Sequence, residues 1–166
     1  GPGEEVEALL SSAQQKIEER NWSDASDIAQ KILQLDPESH IGFGALIRSM
    51  IGLNKFTEVK EIIDALAVEI KNSKPVIDAL SSLDASEKAF KAKENIQVLK
   101  ENLKKDPENL DFLLEMAIAL FGNNEIEASF NMLLKSINID REWQDQAARK
   151  QLLEFFTSAG FEAKET

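Results

Sequence analysis

The sequence predicts an all-α protein built from repeated pairs of antiparallel helices, and three observations support this prediction. Apolar residues recur at steps of three and four positions along most of the chain, the spacing that gives a helix one apolar face. No segment shows the strict alternation of apolar and polar residues that is typical of a β-strand. Large apolar residues also recur 34 positions apart, as Trp22 and Phe56 do, and Ile32 and Leu66.

A second separation, of 70 positions, relates Phe43 to Leu113 and Met50 to Leu120. Because 70 is two periods of 34 plus two residues, we expect two additional residues between the second and fourth repeats. Polar residues and a proline interrupt the helical pattern at 72–75, and we place the additional residues there. A period of 34 is the length of the tetratricopeptide repeat, a helical hairpin that stacks on its neighbours into a superhelix.

The period divides the chain into hairpins followed by a single capping helix. Residues 4–71 are predicted to hold two tetratricopeptide repeats, and residues 109–138 another. Residues 75–105 are predicted to form a degenerate repeat, because small residues occupy positions that are large in the neighbouring repeats. The opening Gly1-Pro2-Gly3 (residues 1–3) is typical of a cloning scar. The expected helices are 4–20, 23–35, 38–53, 56–71, 75–91, 94–105, 109–122, 125–138 and 143–159.

Turn residues mark the ends of these helices. Asp-Pro pairs at 36–37 and 106–107 are predicted to end one repeat and begin the next. Proline suits the first turn of a helix, and it disfavours the helical conformation of the residue before it. Ser23 is expected to cap the second helix by accepting a hydrogen bond from a backbone N–H.

The fourth repeat ends differently, because Arg141 takes the place of the proline. Residues 143–159 then carry one apolar face, formed by Ala148, Leu152, Phe155, Phe156 and Ala159. A single helix of this kind is suited to cover the last hairpin of a repeat array, so we predict a capping helix. Trp143 is expected to anchor this helix, and Asp145 to stabilise its N-terminus.

Composition limits the function. The 166 residues include 30 acidic and 19 basic side chains, a net charge of -11, which argues against a nucleic-acid partner because phosphates would be repelled. There is no cysteine, which removes disulfides and thiolate chemistry and is typical of a reducing compartment. No apolar run approaches the roughly 20 residues that cross a bilayer, so we expect no membrane partner.

Nothing in the sequence predicts an enzyme. His40 is the only histidine, so it has no second imidazole or thiolate with which to share a metal. Gly42 and Gly44 flank Phe43, and close helix packing explains them better than a catalytic loop. We therefore predict a protein with no catalytic residues, no metal and no cofactor.

The inner face of such a superhelix is where partners usually bind. Ile41, Ala45, Arg48 and Ile51 of the second repeat, with Leu114, Ile118 and Phe121 of the fourth, form a candidate protein-binding groove. Arg48 is the basic residue in this set that could pair with a carboxylate of a partner. The alternative interpretation is that the apolar stripe packs against a neighbouring helix, because apolar periodicity mostly reports burial.

Residues 107–156 carry a more specific pattern. It includes Pro107-Glu108-Asn109-Leu110-Asp111, Asp140-Arg141-Glu142-Trp143 and Ala147-Ala148-Arg149-Lys150, followed by Leu152-Leu153-Glu154-Phe155-Phe156. This pattern resembles the C-terminal tetratricopeptide-repeat region of bacterial thioredoxin-like co-chaperones, also called chaperedoxins or YbbN/CnoX-type proteins. The chain departs from that family in lacking the thioredoxin-like domain, and in having Asn124 and Ser129 where the family usually has Gly and Ala.

The resemblance implies a non-catalytic protein-binding domain of a co-chaperone in the bacterial cytoplasm. Such a holdase binds unfolded client proteins and passes them to the chaperonin, and an upstream thioredoxin-like domain belongs to the parent protein. Two alternatives stay open. The chain could be a scaffold repeat domain in a fixed protein complex, or the non-catalytic arm of a thioredoxin-type oxidoreductase.

Overall fold

The helices of the protein are seen in a computed structural model that describes residues 1–160. No β-strand occurs in that range, so the all-α prediction is confirmed. In chain order the helices are α1 Pro2–Glu18, α2 Trp22–Leu35, α3 His40–Gly52, α4 Phe56–Ala65, α5 Val68–Lys71, α6 Lys74–Leu80, α7 Leu83–Lys105, α8 Leu110–Gly122, α9 Ile126–Ile139 and α10 Ala147–Ser158. The chain divides into two compact units, Gly1–Lys88 and Ala89–Thr166, so that the division falls within α7.

In the N-terminal unit, consecutive helices pack against one another. α1 packs on α2, α2 on α3, and α3 on both α4 and α6. The core between the first three helices consists of buried aliphatic side chains, with Trp22 partly buried at its edge. Its buried members are Ala13, Ile17, Ala25, Ala29, Ile32 and Ala45.

Glycines on α3 allow this close packing. A β-carbon on Gly44 would lie 2.8 Å from the carbonyl oxygen of Pro75, the second residue of α6. A β-carbon on Gly52 would overlap the indole ring of Trp22, and one on Gly42 would lie 2.9 Å from the Ile32 side chain. The interpretation of Gly42 and Gly44 as helix-packing residues is therefore confirmed, and the Trp22 ring packs against α3 at Gly52.

Three hairpins share one turn. Arg20, Asn54 and Asn124 have left-handed backbone conformations, with φ of 58°, 61° and 62°. Each donates its N–H to the carbonyl three residues earlier, and the next residue donates to the carbonyl five residues earlier. Arg20 and Asn54 are 34 positions apart, and Asn54 and Asn124 are 70 apart. The turns therefore recur at the same two separations as the apolar residues of the sequence. Asn is among the residues that tolerate this conformation best, as expected for Asn124.

Side-chain caps begin three of the helices. The Asn21 Oδ1 accepts from the Asp24 N–H at 3.3 Å, the Ser39 Oγ from Gly42 at 2.9 Å, and the Asn109 Oδ1 from Phe112 at 3.0 Å. The prediction that Ser23 caps the second helix is wrong. Ser23 lies inside α2, because Asn21 already supplies the acceptor two positions earlier.

The segment between the second and fourth hairpins differs most from prediction. The helix expected at 56–71 is interrupted at Leu66 and Ala67, which adopt extended backbone angles. The turn expected at residues 92–93 is absent, because α7 is continuous from Leu83 to Lys105. The chain turns instead at Ser81-Ser82, because α6, the first helix of this segment, is only 7 residues long.

The N-cap positions limit where the two additional residues can lie. Ser39 and Ser73 are both N-cap positions, and they are 34 residues apart. Ser73 and the next such position, Asn109, are 36 apart. The extra length therefore lies between Ser73 and Asn109, a span that includes Lys74 and Pro75, so its placement at 72–75 stays a prediction. That residues 75–105 form one degenerate repeat stays a prediction.

In the C-terminal unit, two clusters of buried side chains lie on opposite sides of the α8–α9 hairpin. Ile96 and Leu99 of α7 pack with Met116 and Leu120 of α8. The second cluster joins α8 and α9 to α10, and its buried members are Ala117, Leu133, Ala148, Leu152 and Phe155. α10 therefore covers the last hairpin, and the predicted capping helix is confirmed, although it begins at Ala147 and not at 143.

Aromatic side chains hold the capping helix. The rings of Phe121 on α8 and Phe155 on α10 are stacked, with centroids 3.9 Å apart and planes within 3°. Phe130 on α9 and Phe156 on α10 meet edge to face at 4.9 Å. Such pairs contribute about 0.5–1.5 kcal/mol each beyond their buried area. These four phenylalanines, which we call the phenylalanine cluster, connect α10 to both helices of the hairpin.

The turn before α10 has an unusual backbone. Gln144, Asp145 and Gln146 all have positive φ, at 46°, 55° and 62°. The exposed Asp145 carboxylate accepts a hydrogen bond from Lys150 Nζ at 2.8 Å, and this contact lowers the pKa of Asp145 below its usual value. Asp145 therefore pairs with a side chain of α10, whereas we expected it to act on the N-terminus of that helix. Trp143 is half-buried and lies outside the phenylalanine cluster.

Two buried serines of α9 provide a matched test of this packing. The Ser129 Oγ donates to the Ala117 carbonyl of α8 at 2.6 Å, whereas the Ser136 Oγ has no hydrogen-bond partner among the described residues. We expect Ser129→Ala to lower the free energy of unfolding by about 1 kcal/mol. Ser136→Ala should leave it unchanged or raise it, because the orphaned hydroxyl is removed. Urea denaturation of both variants measures the difference, and equal losses would contradict this account.

Candidate functional site

The four groove residues predicted on α3 separate into exposed and buried side chains. Ile41 is 54% exposed at the start of the helix, and Arg48 is exposed about two turns further on. Ala45 and Ile51 are only 8% and 5% exposed, and Ala45 belongs to the core between α1, α2 and α3. The packing interpretation therefore holds for Ala45 and Ile51, while Ile41 and Arg48 are open to a partner.

The three groove residues predicted on α8 also separate. Ile118 is 48% exposed. Leu114 and Phe121 are partly buried against the cluster that holds α10, where the Phe121 ring stacks on Phe155. Ile118 is thus available on the surface of the C-terminal unit, and Phe121 stabilises the capping helix.

Ile41 lies at the edge of an open cleft of about 630 Å³ in the N-terminal unit, which we call the N-terminal cleft. Its walls come from α1, from the turn before α3, and from the segment around the start of α6. The lining residues are Val6, Leu10, Asp36, Glu38, Ser39, His40, Ile41, Glu69, Ser73, Lys74 and Pro75. Apolar side chains and charged side chains thus meet in one cleft large enough for several side chains of a partner.

A second cleft of about 430 Å³ lies between α1 and α3, near the first hairpin turn. Trp22, Ile17 and Gln14 line it together with Glu18 and two arginines, Arg20 and Arg48. Gln14 Nε2 donates to the Glu18 carboxylate at 3.2 Å. Arg48 therefore shares its cleft with a second guanidinium group and a carboxylate, so a partner would meet both signs of charge there.

Sequence reasoning missed most of the N-terminal cleft. It selected Ile41 but not Val6, Glu69 or Pro75. The 34-residue separation of Ser39 and Ser73 could have identified α6 as a wall of the cleft. It makes α6 equivalent to α3, which is the first helix of its own hairpin.

Two further searches cover the described residues. In residues 1–160 there is no group of three or more His, Asp or Glu side chains arranged to hold a metal ion. In the same range no helix combines the length and the apolar character needed to span a membrane.

Comparison with known proteins identifies part of the chain. The family model described as tetratricopeptide repeat matches residues 90–166. Over this range, which is just under half of the chain, the sequence is similar to tetratricopeptide repeats. The match covers the second half of α7 together with α8, α9 and α10, and the fold-class prediction of tetratricopeptide-like helix pairs with a C-terminal capping helix is thereby confirmed. No curated protein matches the chain.

Two solved structures are similar to the chain. One is a domain of protein VP0806, of unknown function, from Vibrio parahaemolyticus RIMD 2210633. It is 15% identical with a TM-score of 0.44, and the match covers 91% of this chain and 87% of that one. The other is MamA 41-end from Desulfovibrio magneticus RS-1, at 13% identity and a TM-score of 0.47, with 100% of this chain and 99% of that one covered.

The two α8 residues predicted for the groove can be separated experimentally. Ile118→Ser should change the midpoint of thermal unfolding by only a degree or so, because the side chain is about half exposed. Phe121→Ser should lower the free energy of unfolding by about 3 kcal/mol or more, since it removes the ring stacked on Phe155. Differential scanning calorimetry compares the two variants. A large loss for Ile118→Ser would show that this residue is also part of the core.

Proposed function

We propose that this chain is the non-catalytic protein-binding domain of a thioredoxin-like co-chaperone, a holdase that binds unfolded client proteins and passes them to a chaperonin. Two findings support the proposal. Tetratricopeptide repeat regions are protein-interaction modules, and the family model for such repeats matches residues 90–166. The motif that resembles the co-chaperone family, at 107–156, lies within the same range.

The observation that carries the binding role is the N-terminal cleft. Val6, Leu10 and Ile41 are apolar, and they line a space of about 630 Å³ that is open to solvent. A folded protein usually shields such side chains, so an apolar cleft with a charged rim is typical of a binding site. An unfolding protein exposes the apolar side chains that fit there.

The remaining parts of the proposal follow from the family resemblance. They are an upstream thioredoxin-like domain in the parent protein, a chaperonin as the recipient of the clients, and a location in the bacterial cytoplasm. Binding clients and releasing them requires no chemical step, so no residue is assigned a catalytic role and no cofactor is required.

An aggregation assay tests the proposal. We expect the chain, at equimolar concentration, to slow the light-scattering increase of a thermally denatured client enzyme. Ile41→Ser should weaken this effect, because burying an isoleucine side chain contributes about 1.5–3 kcal/mol. Ile77→Ser is the matched control, since Ile77 is 52% exposed in the same unit but does not line the cleft.

Pull-down of a purified bacterial chaperonin forms the second half of the test. If the chain neither slows aggregation nor binds the chaperonin, the holdase proposal is wrong. Stoichiometric binding to one folded partner, with no effect on denatured proteins, would instead support the scaffold alternative.

A further inference from the structure

We infer that the N-terminal cleft selects a protein segment in which apolar side chains are flanked by lysine or arginine. This inference rests on the proposed protein-binding function and names the chemistry that the site recognises. It follows from three features of the cleft: an apolar floor, carboxylates that have no ion-pair partner within residues 1–160, and fixed walls.

The floor is formed by side chains from three separate helices. Val6 and Leu10 project from α1, and Ile41, which is more than half exposed, projects from the start of α3. Pro75, in the first turn of α6, adds a rigid apolar surface on the third side. An aliphatic side chain of a partner could therefore contact all three helices at once and lose its exposure to water.

The rim carries excess negative charge. Asp36, Glu38 and Glu69 line the cleft, are exposed, and have no ion-pair partner among the described residues. The ammonium group of Lys74 on the same rim is already paired with the Asp78 carboxylate at 2.7 Å. The carboxylates are thus free to attract a cation of the partner, and the net charge of -11 on the whole chain adds to this attraction.

The walls are held in place before a partner arrives. Ser39, which is buried, caps α3 through its 2.9 Å bond from the Gly42 N–H and so fixes the helix start that presents Ile41. Gly44 lets the backbone of Pro75 lie directly against α3. A preformed site has little conformational entropy to lose on binding, which favours measurable affinity for a short segment.

The same charges argue against other occupants. A segment rich in Asp or Glu would be repelled by the three rim carboxylates, as would an anionic lipid surface. A second copy of this chain would bring its own net charge of -11. A basic and apolar protein segment is the partner that satisfies both the floor and the rim.

Fluorescence anisotropy with short labelled peptides tests the inference on the whole chain. One peptide carries Leu-Leu-Val-Leu flanked on each side by two lysines, and a second has glutamates in place of the lysines. We expect the lysine peptide to bind at least tenfold more tightly at low ionic strength. The difference should shrink in 0.5 M salt, where screening acts within a few ångström.

Charge reversal at two equivalent turns supplies the matched variants. Glu38 and Glu108 follow the Asp-Pro pairs at 36–37 and 106–107, both are exposed, and only Glu38 lines the N-terminal cleft. Both substitutions to Lys change the net charge of the chain equally. Glu38→Lys should weaken binding of the lysine peptide roughly threefold to tenfold, and Glu108→Lys should have less than a twofold effect.

Ile41→Ser should also weaken binding of both peptides, with Ile77→Ser as its control. Equal affinity for the two peptides, tighter binding of the glutamate peptide, or equal effects of the two charge reversals would overturn the inference. So would concentration-dependent dimerisation that Ile41→Ser abolishes, since the cleft would then be filled by a second copy. Charge-selective peptide binding without suppression of aggregation would leave the inference standing and refute the holdase proposal.

Discussion

The N-terminal unit depends on how closely its neighbours can approach α3. Gly42, Gly44 and Gly52 occur where Ile32, Pro75 and Trp22 press against the helix. A side chain at Gly44 or Gly52 would collide with backbone or with a rigid ring, neither of which can move without displacing a whole helix. Because these three positions are glycines, α2 and α6 can lie close to α3. The N-terminal cleft exists because α6 lies at this distance.

The sequence predicted those parts of the fold that depend on repetition and local chemistry. Helical periodicity located the hairpins, and the separations of 34 and 70 recur in the left-handed turns at Arg20, Asn54 and Asn124. It did not predict the break after Leu80, because Ser81 and Ser82 are ordinary in both helices and turns. Residues 92–93 are Ala and Lys, which favour helices, and they lie within the 23-residue helix α7, so the repeat period alone had predicted a turn there.

The candidate site was predictable only in part, for a physical reason. Periodicity shows that a residue lies on an apolar face, but not how much of that face a neighbour covers. Ile41 and Ala45 share one face of α3, and Ala45 is covered by the first two helices while Ile41 lies beyond their reach. Likewise Ile118 and Phe121 are one turn apart on α8, and only Phe121 meets the capping helix. Asp36 and Glu38 are close together in the chain, but Glu69 comes from α5, so no local pattern could assemble all three carboxylates of the cleft.

The end of the fourth hairpin shows what replaces a regular helix start. Trp143 lies 34 residues after the capping residue Asn109, but an indole has only a donor and cannot accept a backbone N–H. No helix begins there, and the chain passes through the left-handed Gln144, Asp145 and Gln146 before α10 starts. Left-handed residues cost roughly 1–2 kcal/mol each. The phenylalanine cluster offsets that cost by anchoring α10 on the hairpin.

The packing of each helix on its near neighbours in sequence has a consequence for how the protein folds. Most core contacts, such as those of α1 with α2 and of α8 with α9, join segments that follow one another directly. Closing a short loop costs little chain entropy, and proteins dominated by local contacts reach their native state quickly. A hairpin near the N-terminus can therefore form while the following residues are still being synthesised. Its apolar faces would then be covered soon after they leave the ribosome.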